Sequence, residues 1–285
     1  KNFNLHYILS KNFFLKNHFT KMNLDQNKLN KIYKEKCLNG ENKCLSNGKK
    51  PIFIIGDTQM QQYLASINNL ENFFLAYSNV KKQCLFSSQL KHINFLKYYL
   101  KFEEPKDCSE KFKEIIRVLE ESKNLNKSKI ILISSWYNWY FKTQLILNKD
   151  NQIINENLAY DILFKDLNTF LKKFQNRSDL NFVFILPLPR FYNSPNSCFL
   201  NNQSCIIKYS EYIDQIYDLK KVFNTLAESY ENLTVFEPGK FFCDENLNYC
   251  SMRGNLLKKF IHYRDNENLS QNSEINFFNT LLEKK

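Results

Sequence analysis

Glycine and proline are scarce in this chain, at 5 and 6 of 285 residues. A β-sandwich uses both freely in its many turns, so their scarcity argues against that class. Histidine is rarer still, at 4 residues. That leaves few imidazoles for general-base chemistry or for metal ligation. No run reaches the roughly 18 apolar residues of a membrane-spanning helix. The opening KNFNLHYILSKNFFLKNHFTK holds too many Lys, Asn and His for the apolar core of a signal peptide. Any targeting element is therefore expected upstream of Lys1, in a longer protein of which this chain is a piece. The net charge is +11, yet the lysines come singly or in pairs such as Lys49-Lys50 and Lys172-Lys173. No compact basic cluster or basic–aromatic stripe accompanies them. The charge reads as compositional drift in a Lys- and Asn-rich chain, and no nucleic-acid partner is expected.

Apolar residues are plentiful, at 43%, with aromatics at 15%. A chain of this length and composition can bury the core of one large domain. Eight cysteines are present, and Cys37/Cys44, Cys198/Cys205 and Cys243/Cys250 are each seven apart. Cys84 and Cys108 make a looser fourth pair. An even count in local pairs, set in Asn-, Ser-, Gly- or Asp-bearing loops, favours disulfides and an oxidising compartment. Zinc is the rival reading, but it usually takes shorter spacers and often His, which all three close pairs lack.

Residues 1–50 are polar, without a clear long period, and read as a linker or extension clipped by Cys37–Cys44. From residue 51 the pattern alternates. Strands are predicted at PIFII (51–55), FFLAY (73–77), KIILIS (129–134), FVFILP (182–187) and LTVFEP (233–238). Helices are predicted at 58–69, 110–124, 156–176, 210–231 and 270–283, the last with Ser270 as N-cap. Continuous apolar strands alternating with helices predict an α/β fold with a parallel sheet covered on both faces. In such a sheet function gathers beyond the carboxyl ends of the strands. Those ends are GDTQ (56–59), SSWYNWY (134–140), PLPRFYNSPNSC (187–198) and EPGKFFCDENLNYC (237–250).

Taken in order, these blocks resemble the SGNH-hydrolase-like domain at the C-terminus of acyltransferase-3 family membrane proteins. The matching pieces are Gly56-Asp57-Thr58-Gln59 after a strand and ISSWYNWY at a later strand end. ILPLPRFYNSPNSC then leads into one Cys pair, and FFCDENLNYC forms another. Tyr263-Arg264-Asp265-Asn266-Glu267-Asn268-Leu269-Ser270 follows. The likeness covers roughly residues 37–283, and the order of blocks and cysteines carries it. It implies a three-layer αβα sandwich with a mostly parallel sheet of the SGNH, flavodoxin-like type over 51–285. It also implies a periplasmic or otherwise extracytoplasmic domain, tethered to the membrane by a segment upstream. The implied partners are an upstream membrane acyltransferase domain and a cell-envelope polysaccharide or acyl donor. The implied role is O-acylation, chiefly O-acetylation, without cofactor or metal.

The family's first block reads Gly-Asp-Ser-His, with Ser as nucleophile, and a later Asp-x-x-His supplies the base and the acid that orients it. By position the nucleophile is Thr58, the orienting acid Asp265 and the base Asn268, while Gln59 stands where the block has His. Threonine keeps a hydroxyl but crowds it with a methyl. Asparagine cannot take up and return a proton near neutral pH. A hydroxyl without a base is a poor nucleophile, so the site is expected to be degenerate. Of the four histidines, His6 and His18 lie in the extension and His92 is expected at the surface or in packing. His262, three residues before Asp265, is a candidate relocated base. A helix N-terminus after Gly56 would favour an oxyanion. The alternative is a non-catalytic carbohydrate-binding module whose cleft is lined by Gln59, Trp136 and Tyr140.

Overall fold

The computed structural model describes residues 50–61, 73–80, 84–93, 108–124, 128–192 and 206–252. Five parallel strands form the central sheet: β1 (Lys50–Gly56), β2 (Phe73–Val80), β4 (Lys129–Ser134), β7 (Leu180–Ile185) and β9 (Leu233–Phe236). Their spatial order is β2-β1-β4-β7-β9. All five predicted strands are there, within a few residues of their expected bounds. The reason is visible in the burial. Ile52 to Ile55 of β1 and Ile130 to Ile133 of β4 are buried at every position rather than at alternate ones. Both faces of these strands are covered, and the sequence accordingly reads as unbroken apolar runs.

The helices are amphipathic in step with this sheet. α1 (Thr58–Gln61) follows β1 directly. α2 (Ser109–Glu121) buries Phe112, Ile115, Val118 and Leu119, a spacing that makes one helical face. α3 (Tyr137–Thr143) follows β4. α4 (Glu156–Lys173) starts at Asn155, whose side chain accepts a hydrogen bond from the backbone N–H of Leu158 at 2.9 Å. Lys172 and Lys173 occupy its last turn, where cations suit the helix dipole. α5 (Tyr209–Ser229) turns Tyr212, Ile216, Leu219, Phe223 and Leu226 inward. Phe170 of α4 and Phe223 of α5 meet Phe182 and Phe184, two residues apart on β7, so both helices lie on one face of the sheet. Phe112 of α2 meets Phe170 edge-on, which places α2 on that face too.

Two small antiparallel sheets and α3 were not predicted. β3 (Leu90–Ile93), β5 (Leu145–Asn148) and β6 (Ile153–Ile154) form one sheet. β8 (Ile206–Lys208), β11 (Tyr249–Ser251) and β10 (Cys243–Asp244) form the other. These strands span only two to four residues, too short for a period to show. Cys243 and Cys250 face each other across β10 and β11 and are disulfide-bonded. Cys84 and Cys108 are bonded as well, with their Cα atoms 5.8 Å apart. At both pairs the disulfide reading holds over the zinc reading. The expected pairs Cys37–Cys44 and Cys198–Cys205, and the helix at 270–283, lie outside the described residues.

Candidate active site at the carboxyl end of the sheet

The chain runs from β1 outward to β2, then crosses back to place β4 on the other side of β1. This reversal makes a topological switch point between β1 and β4, and α/β sheets bind ligands beyond the carboxyl ends of the strands at such a point. Gly56 and Ser134 pair there, at the ends of the two strands. Gly56 has φ +152°, and a Cβ there would lie 1.9 Å from the Ser134 carbonyl oxygen and 2.7 Å from Met60 Cγ. No side chain fits, so the glycine is what lets β1 pass β4 this closely and turn into α1.

Asp57 comes next and is fully buried. One carboxylate oxygen accepts the backbone N–H of Gln59 at 2.8 Å and starts α1. The other accepts the backbone N–H of Trp136 at 2.9 Å, at the entry to α3. The Tyr140 hydroxyl is a third donor to the same carboxylate. Asp57 therefore ties the turn after β1 to the turn after β4. Burial pushes its carboxyl up to about 6, outweighing the hydrogen-bond donors that pull it down. Burial, and then the neighbouring Asp57 charge, hold the Tyr140 phenol far above its ordinary range.

Gln59 and Tyr140 are both buried, and Trp136 is half-buried. The Gln59 side-chain oxygen lies 3.2 Å from Ser134 Oγ, which itself donates to the Ile185 carbonyl at 2.7 Å. The Tyr140 ring packs against His92 at 4.5 Å and against Trp139 at 5.5 Å. His92 is thus an interior packing residue on β3, and through Tyr140 it is one ring away from Asp57. The structure brings Gln59, Trp136 and Tyr140 together at the ends of β1 and β4. Thr58 opens α1 at the same place, although its side chain lies outside the described residues, as do Asp265, Asn268 and His262. Asp57 and Ser134 are the local residues to which sequence reasoning gave no role, and His92 lies in packing, one of the two places expected for it. The Asp in GDTQ was in view, but only the fold shows that its partners are Trp136 and Tyr140.

Further support comes from the strand end after β7. The Arg190 backbone N–H donates to Gln215 Oε1 of α5 at 3.1 Å, and Asn138 Nδ2 of α3 donates to the Gln215 carbonyl at 2.7 Å. The Tyr212 hydroxyl donates to the Pro187 carbonyl at 3.3 Å. The proline-bearing segment is thereby stitched to α5 beside α3. Among the described residues, no group of His, Cys, Asp and Glu is arranged to hold a metal ion.

A family model described as the SGNH domain (fused to AT3 domains) matches residues 24–271. The chain belongs to that family. The order of blocks noted in the sequence is therefore the order of an SGNH domain, and its GDTQ turn stands at the switch point just described. No curated protein matches the chain. Two of the solved structures that are similar to this SGNH domain come from bacteria. One is the periplasmic domain of a lipopolysaccharide acetyltransferase from Salmonella ser. Paratyphi A, at 17% identity and TM-score 0.49, with 90% of this chain and 96% of that chain covered. The other is a putative platelet activating factor from Streptococcus pneumoniae, at 12% identity and TM-score 0.45, with 99% of each chain covered.

Proposed function

We propose that this SGNH domain is the extracytoplasmic module of an acyltransferase-type envelope protein. It serves O-acylation of cell-surface polysaccharide, chiefly O-acetylation, from a catalytically degenerate site. Membership of an SGNH family fused to AT3 domains is the observation that carries this reading. The disulfides Cys84–Cys108 and Cys243–Cys250 support the compartment, since such bonds persist under oxidising conditions.

The roles follow from the chemistry of the residues. Thr58, at the first turn of α1 beyond β1, takes the nucleophile's position. Asp265 takes that of the orienting acid and Asn268 that of the base. An amide in the base's place cannot accept the hydroxyl proton, so attack on an acyl carbonyl stays slow. Asp57 is a positioning residue: it fixes where α1 starts and hence where Thr58 stands. Gln59, Trp136 and Tyr140 form the wall against the bound group. A non-catalytic carbohydrate-binding module is the second reading. It is favoured by Trp136 and Trp139, both only half-buried and set edge to face with centroids 6.3 Å apart at this end of the sheet.

The test is acetyl-ester turnover by the wild type, Thr58→Ser, Asn268→His and the double variant. The wild type turns over poorly and Thr58→Ser gains little, because its hydroxyl still lacks a base. Asn268→His gains more. The double variant gains on the order of 10²-fold or more, beyond the sum of the single gains in log rate, because nucleophile and base act as a unit. Asp265→Ala in the double variant removes much of that gain. Brisk wild-type turnover abolished by Thr58→Ala overturns the degenerate reading. If His262→Ala also abolishes it, His262 is the base. An inert but folded double variant favours the binding module.

A further inference from the structure

Beside Gly56, on the β2 side of β1, lies a small crevice with nothing yet assigned to it. Ile55, Leu85, Phe86, Phe112 and Ile115 line it with carbon, and Asn79 and Lys111 supply its polar edge. The Lys111 ammonium donates to Asn79 Oδ1 at 3.4 Å, and Asn79 Nδ2 donates to the Tyr77 hydroxyl at 2.9 Å. Its free interior is about 10 Å³, which admits roughly one water or a methyl group. Gly56 forms part of its wall. Thr58 follows two residues later, so their Cα atoms are at most about 7.6 Å apart.

The wall formed by residues 84–88 is restrained three times over. Cys84 is bonded to Cys108 at the start of α2, and both cysteines line the crevice. The Tyr137 hydroxyl donates to the Phe86 carbonyl at 2.9 Å. Asp166 of α4 accepts from Ser87 Oγ at 2.7 Å, Ser88 N–H at 2.5 Å and Ser88 Oγ at 2.6 Å. A segment with no regular structure over most of its length has been fastened to α2, α3 and α4 at once. A methyl-sized hollow with braced walls selects by size, because interiors yield poorly to added methylenes.

We propose that this crevice is the acyl subsite of the Thr58 site, which takes the methyl end of a two-carbon acyl group and excludes longer chains. Leu85 and Phe112 are its size-limiting residues, and the Cys84–Cys108 bond is its brace. The inference rests on the acylation reading above but is tested without turnover.

The test titrates the full chain with acetate and, separately, with hexanoate, following the methyl resonances of Ile55, Leu85 and Ile115 by NMR. Acetate shifts all three saturably in the wild type, and hexanoate leaves them in place. In Leu85→Ala, and in Phe112→Leu as the milder change, hexanoate binds at least about tenfold more tightly than in the wild type. Chain-length discrimination also narrows in Cys84→Ala/Cys108→Ala. The inference is overturned if acetate leaves these methyls unmoved, or if hexanoate binds the wild type as well as acetate does. It is also overturned if folded variants keep the wild-type preference. An acetyl-esterase activity found without acetate shifts here would sink this subsite and leave the acylation reading standing. Acetate shifts without any turnover would keep the subsite and favour a binding role.

Discussion

A carboxylate at 0% exposure, as Asp57 is, costs several kcal/mol to ionise unless donors converge on it. Donors do converge on it, and burial still pushes the carboxyl up to about 6. The folded protein therefore holds the Asp57 proton more tightly than the unfolded chain does. Its contribution to stability is complete below about pH 4 and is lost as pH rises through about 6, by roughly 3 kcal/mol in all. Comparison with Asp57→Asn isolates this, since the other carboxylates cancel in the difference. The amide nitrogen cannot accept the Trp136 N–H at any pH, which is a constant offset. The wild type's unfolding free energy, relative to the variant's, should fall between pH 4 and pH 6.5 in urea titrations. A flat difference would mean that Asp57 is not the buried acid described. Nothing in the letters GDTQ announces this, because the decisive partner, Trp136, is 79 residues away.

At the opposite end of the sheet, β4 begins with a lysine in place of another aliphatic residue. Lys129 is fully buried, and its ammonium donates to Asp179 Oδ2 at 2.6 Å. Arg177 forks onto the same carboxylate at 2.6 and 2.7 Å and also reaches the Leu119 carbonyl at the end of α2. The Arg177 and Lys129 bonds hold Asp179 well below the usual carboxylate range, and burial holds the Lys129 ammonium below its own. This cluster sets where β4 and β7 start and joins both to α2. Removing Asp179 strands a buried cation, so Asp179→Ala should cost about 3 kcal/mol. Lys129→Met in the same chain should restore a large part of that loss, as read from denaturation midpoints. Equal losses in the single and double variants would show that the cost lies elsewhere. At this scale the long elements were legible, since 13 to 21 residues carry enough period to declare a helix. α3 was not, because its seven residues follow Ser135 and Trp136 with no capping signal. The small sheets were not legible either, because their strands are short and partners such as Leu90 and Asn148 lie far apart in the chain.

Across the whole molecule, the two observed disulfides brace the carboxyl end of the sheet from different sides. Cys84–Cys108 ties the segment after β2 to α2, and Cys243–Cys250 closes the hairpin of β10 and β11. The longer loop, with a sequence separation of 24, contributes about 3.5 kcal/mol on the chain-entropy account, and the shorter, at 7, about 2.5 kcal/mol. Non-reducing peptide mapping should recover both, together with Cys37–Cys44 and Cys198–Cys205. Cys84→Ala/Cys108→Ala should lower the denaturation midpoint more than Cys243→Ala/Cys250→Ala does. Free thiols at these positions in oxidatively purified protein would remove the support they lend to an extracytoplasmic domain.

The sequence by itself determined the α/β class, the five parallel strands, the long helices and the family's order of blocks. These depend on local composition and period, which a strand buried on both faces and an amphipathic helix both write into consecutive residues. It also marked GDTQ as the turn to watch, since a glycine between an apolar strand and a helix is a local sign. The tertiary structure alone decided why that glycine is obligatory, through the Ser134 carbonyl, and to what Asp57 is bound. It alone placed His92 in the interior against Tyr140 and set a crevice beside Gly56. These facts join residues far apart in the chain. Such pairings arise only when the sheet brings its strand ends to one edge, and no local pattern encodes them.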